Sequence, residues 1–164
     1  MSGDFARKMW DAVAWTAGFA FSVFLVADAM AGERHAPVAP DPAWQAECGS
    51  CHVAYPPRLL AAPAWRRIMQ GLDRHFGVDA GLDAGTAATI GSFLEANAQP
   101  ASSRRADPSA LRITETGWFR HEHAKIAAAT WARADVRGPA NCGACHRGAD
   151  RGDFSERLVR VPGS

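Results

Sequence analysis

Apolar side chains recur at three- and four-residue intervals in several stretches of the chain, and no convincing run alternates with polar residues as a strand would. The pattern predicts an all-α, loop-rich fold. The clearest stretch runs from about Pro63 to Phe76, where Trp65, Ile68, Met69, Leu72 and His75 or Phe76 follow one side of a helix that Gly77 would stop. A second helix is expected from Asp83, a capping residue, with Ala87, Ile90, Phe93 or Leu94 and Asn97 along one side before Pro100. A third follows Thr116, begins near Trp118 and continues through Ile126 toward Trp131. Asp41 before Pro42 is an N-cap followed by proline at the first helical position. It predicts a short helix that runs through Trp44 into Cys48 and Cys51, with Tyr55-Pro56-Pro57 as its stop. Gly138-Pro139 breaks the chain again, and Asn141 is expected to cap the turn after it.

The polar stretches divide what lies between. Residues 99–110 hold prolines, serines and the Arg104-Arg105 pair with almost no apolar material, and read as a linker between an amino-terminal unit, 32–98, and a carboxy-terminal one, 111–164. The segment from Glu33 to Asp41 reads as an extended leader. Before it, Arg7 and Lys8 precede an apolar run from Ala12 to Ala27, and Ala29-Met30-Ala31 offers an A-x-A cleavage site, so residues 1–31 are expected to be a secretory signal peptide. The run is shorter than the ~18–20 residues of a membrane span and ends on Asp28, which makes an uncleaved anchor the weaker alternative. Removal of 31 residues from 164 leaves a mature chain of 133.

With 18 basic and 17 acidic residues the chain lacks the electrostatic footprint of a nucleic-acid binder. Its four cysteines form two identically spaced groups, Cys48-Gly49-Ser50-Cys51-His52 and Cys142-Gly143-Ala144-Cys145-His146, 94 residues apart. On a helical turn, residues three apart share a side, so two thiols can form thioethers with the two vinyl groups of one haem while the histidine binds its iron. A four-cysteine zinc site would bring its halves within roughly 15–20 residues and would not need a histidine after each. A thioredoxin-like dithiol would need a βαβ setting that is missing here, and plain disulfides would not need the histidines either. The chain is therefore expected to carry two covalently bound haem c groups.

The second axial ligand decides what each iron does, because an open position binds gas or peroxide and a closed one serves electron transfer. Met69 is the only methionine beyond the signal segment, and the histidines outside the two motifs are His35, His75, His121 and His123. His75 lies on the apolar stripe of its expected helix and is the candidate ligand of the first iron. Met69 lies six residues earlier and roughly 240° around that helix, so it and His75 cannot both face the iron; it reads as haem-pocket packing, with ligation in place of His75 as the alternative. In the second half the choice lies between His121 and His123. Periodicity favours His123, which shares a stripe with Phe119 and Ile126, although Trp118 gives the opposite face some apolar character. His35 falls in the leader and reads as solvated. His75 follows His52 by 23 residues and His123 precedes His146 by 23, so pairing within each half is sterically simple, while crossed pairing is open. Tyr55-Pro56-Pro57 is placed to give His52 a carbonyl for its second ring nitrogen.

Cys51-His52 through Ala54-Tyr55-Pro56-Pro57, the segment from Trp65 through Ile68-Met69, Gly71-Leu72 and His75-Phe76-Gly77, Trp118-Phe119 with Glu122-His123, and Ala140-Asn141-Cys142 with Cys145-His146 together resemble the bacterial dihaem cytochrome c family over nearly the whole mature chain. The resemblance implies an amino-terminal half similar to class I cytochrome c and a less typical helical carboxy-terminal haem domain. It also implies two low-spin bis-histidine haems with distal ligands at His75 and His123, and no matching role for His121. It further implies a membrane b-type cytochrome as donor and a soluble haem protein as acceptor.

These readings make the chain a periplasmic carrier of single electrons with no bond-making chemistry of its own, at low potential because no methionine ligates. The alternative is a dihaem peroxidase or gas-binding protein with one five-coordinate iron. Neither nucleic acid nor a small-molecule substrate is expected. Two haems would also supply much of the core of so small a chain, so the haem-free protein should be largely unfolded.

Overall fold

The computed structural model describes residues 39–163, which belong to one compact unit. Residues 1–38, which hold the expected signal segment, His35 and most of the expected leader, lie outside the described residues. Among the described residues five α-helices are joined by loops and short 3₁₀ turns: α1 (Pro42–Gly49), α2 (Ala62–Met69), α3 (Ala84–Ala96), α4 (Gly117–Glu122) and α5 (Ala128–Trp131). Among the described residues there is no strand, only isolated β-bridges. No helix among them is long and apolar enough to cross a membrane.

Helix starts follow local chemistry. The Asp41 carboxylate accepts the Trp44 N–H at 2.9 Å, Asp83 accepts from Thr86 at 3.0 Å, and the Thr116 hydroxyl accepts from Phe119 at 3.1 Å, each satisfying an amide that the first turn leaves unpaired. Helices α1 and α2 pack on α3. The core between them comprises Trp44, Leu60, Ala64, Trp65, Ile90 and Leu94, with Leu111 and Ile113 of the second half resting on it. Burial of Ile90 and Leu94, both essentially fully enclosed, contributes roughly 1.5–3 kcal/mol each. The buried Trp65 indole N–H donates to the Pro57 carbonyl at 2.6 Å, which ties the turn after the first cysteine pair to α2.

Two helices stop earlier than their apolar spacing suggests. Helix α2 ends at Met69 because Gly71 leaves the helical region, at φ −125° and ψ 28°, and a 3₁₀ turn over Leu72–Arg74 follows. His75 therefore sits in a turn and not on the helical stripe that nominated it. Its neighbours Phe76 and Gly77 both take positive φ, 51° and 104°, and reverse the chain there. The expected single helix from Trp118 to Trp131 is likewise two pieces: α4 ends at Glu122, and a turn through Ile126 leads into α5. The break falls at His123, whose φ −103° and ψ 11° leave the helical region, while the Phe119 carbonyl accepts both the His123 backbone N–H at 3.0 Å and the His123 ring Nδ1 at 2.9 Å. Phe119 and His123 keep their one-turn relation, whereas Ile126 leaves the stripe.

Candidate haem centres

His52 and His75 come together with ring centres 6.2 Å apart, and His123 and His146 with centres 6.1 Å apart. Two imidazoles on opposite sides of one iron, each bonded at roughly 2 Å through a nitrogen about 1 Å from its ring centre, would lie about 6 Å apart. Each pair has the separation that one closed iron requires, and the pairing is local to each half. The planes differ: the first pair is tilted by only 22°, the second by 66°.

The ring nitrogens fit the same role. A carbonyl can only accept, so the 2.7 Å contact between His52 Nδ1 and the Val53 carbonyl puts the proton on Nδ1 and leaves the Nε2 lone pair free. The contact of His123 Nδ1 with the Phe119 carbonyl does the same in the second half. The residue that serves His52 is thus Val53, not the Tyr55-Pro56-Pro57 segment. The Pro57 carbonyl is taken by Trp65, and Tyr55 stacks its ring on His52 at 4.7 Å and 18°. His146 Nδ1 is buried without a hydrogen-bond partner among the described residues, so no such carbonyl fixes the tautomer of this ring. Burial lowers the pKa of both His75 and His146, aided by the facing His52 and His123, so these rings favour the neutral form that binds metal.

Burial also pushes the thiols of Cys48 and Cys142 up to about 11, and raises Cys145. A zinc site or a reactive dithiol needs thiolates, which these surroundings penalise, whereas a thioether sulfur carries no charge to desolvate. None of the four cysteines is in a disulfide. Cys48 ends on α1 with Cys51 just past it. Cys142 opens a 3₁₀ turn, and His146 N donates to the Cys142 carbonyl at 2.8 Å. Asn141 does not cap that turn. Its side-chain amide donates instead to the Val136 carbonyl at 2.9 Å, bridging the Arg137-Gly138 reversal, where both residues have positive φ. The strand-like segment near the carboxy terminus holds the motif from the other side: Arg160 N donates to the Cys145 carbonyl at 2.9 Å and Arg147 N to Leu158 at 3.2 Å.

Aromatic residues wall the second pair. Phe119 stacks on His123 at 4.0 Å, Trp131 stands 6.1 Å from the same ring, and Phe154 stands 5.3 Å from His146. Phe154 had no sequence signal, because it reaches His146 through a turn at Gly152 with positive φ. His121 points elsewhere, into a surface cleft with Arg104, Arg105 and Trp118, and takes no part in either pair. Met69 packs toward α3, its Cγ 4.0 Å from where a side chain on Gly91 would begin, in keeping with a packing role.

The family model described as dihaem cytochrome c matches residues 44–154. The chain is similar to a solved structure of the diheme cytochrome c from Rhodobacter sphaeroides, with 41% identity over 73% of this chain and 100% of that one, at a TM-score of 0.65. It is also similar to the diheme cytochrome type c of Shewanella baltica OS155, with 35% identity over 77% of this chain and 96% of that one, at a TM-score of 0.66. No curated protein matches the chain.

Proposed function

From the chain's membership of the dihaem cytochrome c family, which makes it a carrier of two covalently bound haem c groups for electron transfer, we propose that both of its irons are closed by two histidines and pass single electrons. In this reading Cys48 and Cys51 tether the first haem between His52 and His75, and Cys142 and Cys145 tether the second between His146 and His123. A haem c closed in this way supplies reversible one-electron chemistry and no open position for gas or peroxide. The observation that carries the reading is the separation of 6.2 Å and 6.1 Å between the facing rings. The chain's part is to hold those rings still. Val53 and Phe119 fix the proton of one imidazole in each pair, which keeps the opposite nitrogen aimed inward.

Export to the periplasm is supported by the basic, apolar and A-x-A segments of residues 1–31, and the division into units 32–98 and 111–164 by one attachment motif in each. A membrane b-type cytochrome as donor and a soluble haem protein as acceptor complete the reading. Residues 39–98 carry four basic and six acidic side chains, and residues 99–164 eleven basic and seven acidic, so an approaching partner meets an orienting field.

Carbon monoxide added to the reduced holoprotein tests the closed state. The visible spectrum should not change in the wild type or in His121→Ala, and His123→Ala should bind one equivalent. Prompt binding by the wild type would transfer the chain to the gas-binding or peroxidase class.

A further inference from the structure

The two centres are joined by one side chain. Tyr55, the only tyrosine of the chain, lies flat against the His52 ring, and its hydroxyl donates at 2.8 Å to the carbonyl of Ala140, 85 residues away. That carbonyl oxygen is in turn 3.7 Å from the sulfur of Cys142. A second contact lies beside the first: Val53 Cγ1 is 3.9 Å from the point where a side chain on Gly143 would begin. A ring stack, a hydrogen bond and one van der Waals step thus lead from an axial ligand of the first centre to the attachment sulfur of the second.

We propose that Tyr55 is a positioning residue that couples the two haem centres, through its stack on His52 and its hydrogen bond to the chain entering Cys142. The inference rests on the reading of His52 and Cys142 given above. The coupling has two physical parts. The hydrogen bond fixes the second motif against the first ligand and so fixes the separation that sets how fast the centres exchange an electron. It also links the polarity of the Ala140 carbonyl, beside the second attachment sulfur, to a ring in contact with the first ligand, so that each centre responds to the other's charge. The electron lost by one iron is the one gained by the other; no bond or proton changes, and Tyr55 itself is not oxidised.

Holoprotein variants Tyr55→Phe and Tyr55→Leu separate the hydrogen bond from the stack, with Arg67→Ala as a control that removes a different long-range tie, its hydrogen bond to the Pro108 carbonyl. Haem loading, both potentials, the electron paramagnetic resonance spectrum and the rate of electron equilibration after rapid partial reduction are read in each. Tyr55→Phe should keep the wild-type resonance of the first centre, slow equilibration several-fold and shift the potential of the second centre. Tyr55→Leu should do the same and also alter the first resonance. A Tyr55→Phe protein that loads only the first haem shows the same coupling lost at assembly. Wild-type rate and potentials in Tyr55→Phe, or an equal loss in Arg67→Ala, would overturn the proposal. Carbon monoxide binding by the wild type would instead strike the bis-histidine reading beneath it, so the two failures are distinct.

Discussion

In the amino-terminal half, His52 and His75 stand beside a core that Trp44, Leu60, Ala64, Trp65, Ile90 and Leu94 form from their own side chains. The carboxy-terminal half offers His123 and His146 no such support: its buried apolar residues among the described ones are Phe119, Val136 and Ala149, too few to make a comparable cluster. Its chain is held by carbonyl contacts across turns, by the segment that ends at Arg160, and by aromatic rings against the two imidazoles. The same ring separation is thus reached by a preformed scaffold in one half and, in the other, by a shell that a haem would complete. Small domains without enough apolar side chains depend on such a group for their core.

The sharpest way to break this comparison is to remove one attachment site at a time. Cys142→Ser with Cys145→Ser should abolish amide protection across residues 111–160 in hydrogen exchange while α3 stays protected. Equal loss in both halves would show that the scaffold is not independent. A smaller effect comes from the core itself. Leu94→Ala should cost about 2–5 kcal/mol in the thermal unfolding of the holoprotein, and Val136→Ala clearly less, because an isolated buried valine leaves a smaller cavity in a site with few neighbours.

The smallest effect is one of pH. Hydrogen bonds from Thr86 hold the Asp83 carboxyl below its ordinary value, so its contribution to α3 is present above the unfolded-state value and is lost as pH falls through the lowered one. Below about pH 4 the first turn of α3 should therefore exchange faster, after correction for intrinsic rates, and Asp83→Asn should remove that dependence. Helix α4 begins on the hydroxyl of Thr116, which does not titrate in this range, and its first turn should not respond.

How much of this was legible in the sequence divides along the same line. The caps at Asp41, Asp83 and Thr116, the apolar face of α3 and both attachment motifs could be read directly, since each depends on residues within four positions of one another. The candidate ligands were readable as residue types; periodicity rightly put His123 one turn from Phe119 but put His75 on a helical stripe it does not share. The helices end early at Gly71 and at His123, so His75 reaches its partner from a turn and His123 from the position just past α4. What stayed hidden depends on backbone atoms or on distant chain: the Val53 carbonyl on His52, the Asn141 amide on Val136, Phe154 against His146, and the Tyr55 link to Ala140. No local pattern encodes a contact across 85 residues.

The ring planes provide the most direct test of two closed but unlike centres. With a haem bound between each pair, nearly parallel imidazoles, 22° apart, would direct their π-donation into the same iron orbital and split the pair of d levels, whereas rings crossed at 66° would share it more evenly and leave those levels closer together. The low-temperature electron paramagnetic resonance spectrum of the oxidised holoprotein should therefore contain two low-spin signals of equal weight, one rhombic from the His52 and His75 centre and one strongly anisotropic from the His123 and His146 centre. A high-spin signal at stoichiometric intensity, or a low-spin signal characteristic of methionine ligation, would contradict the account.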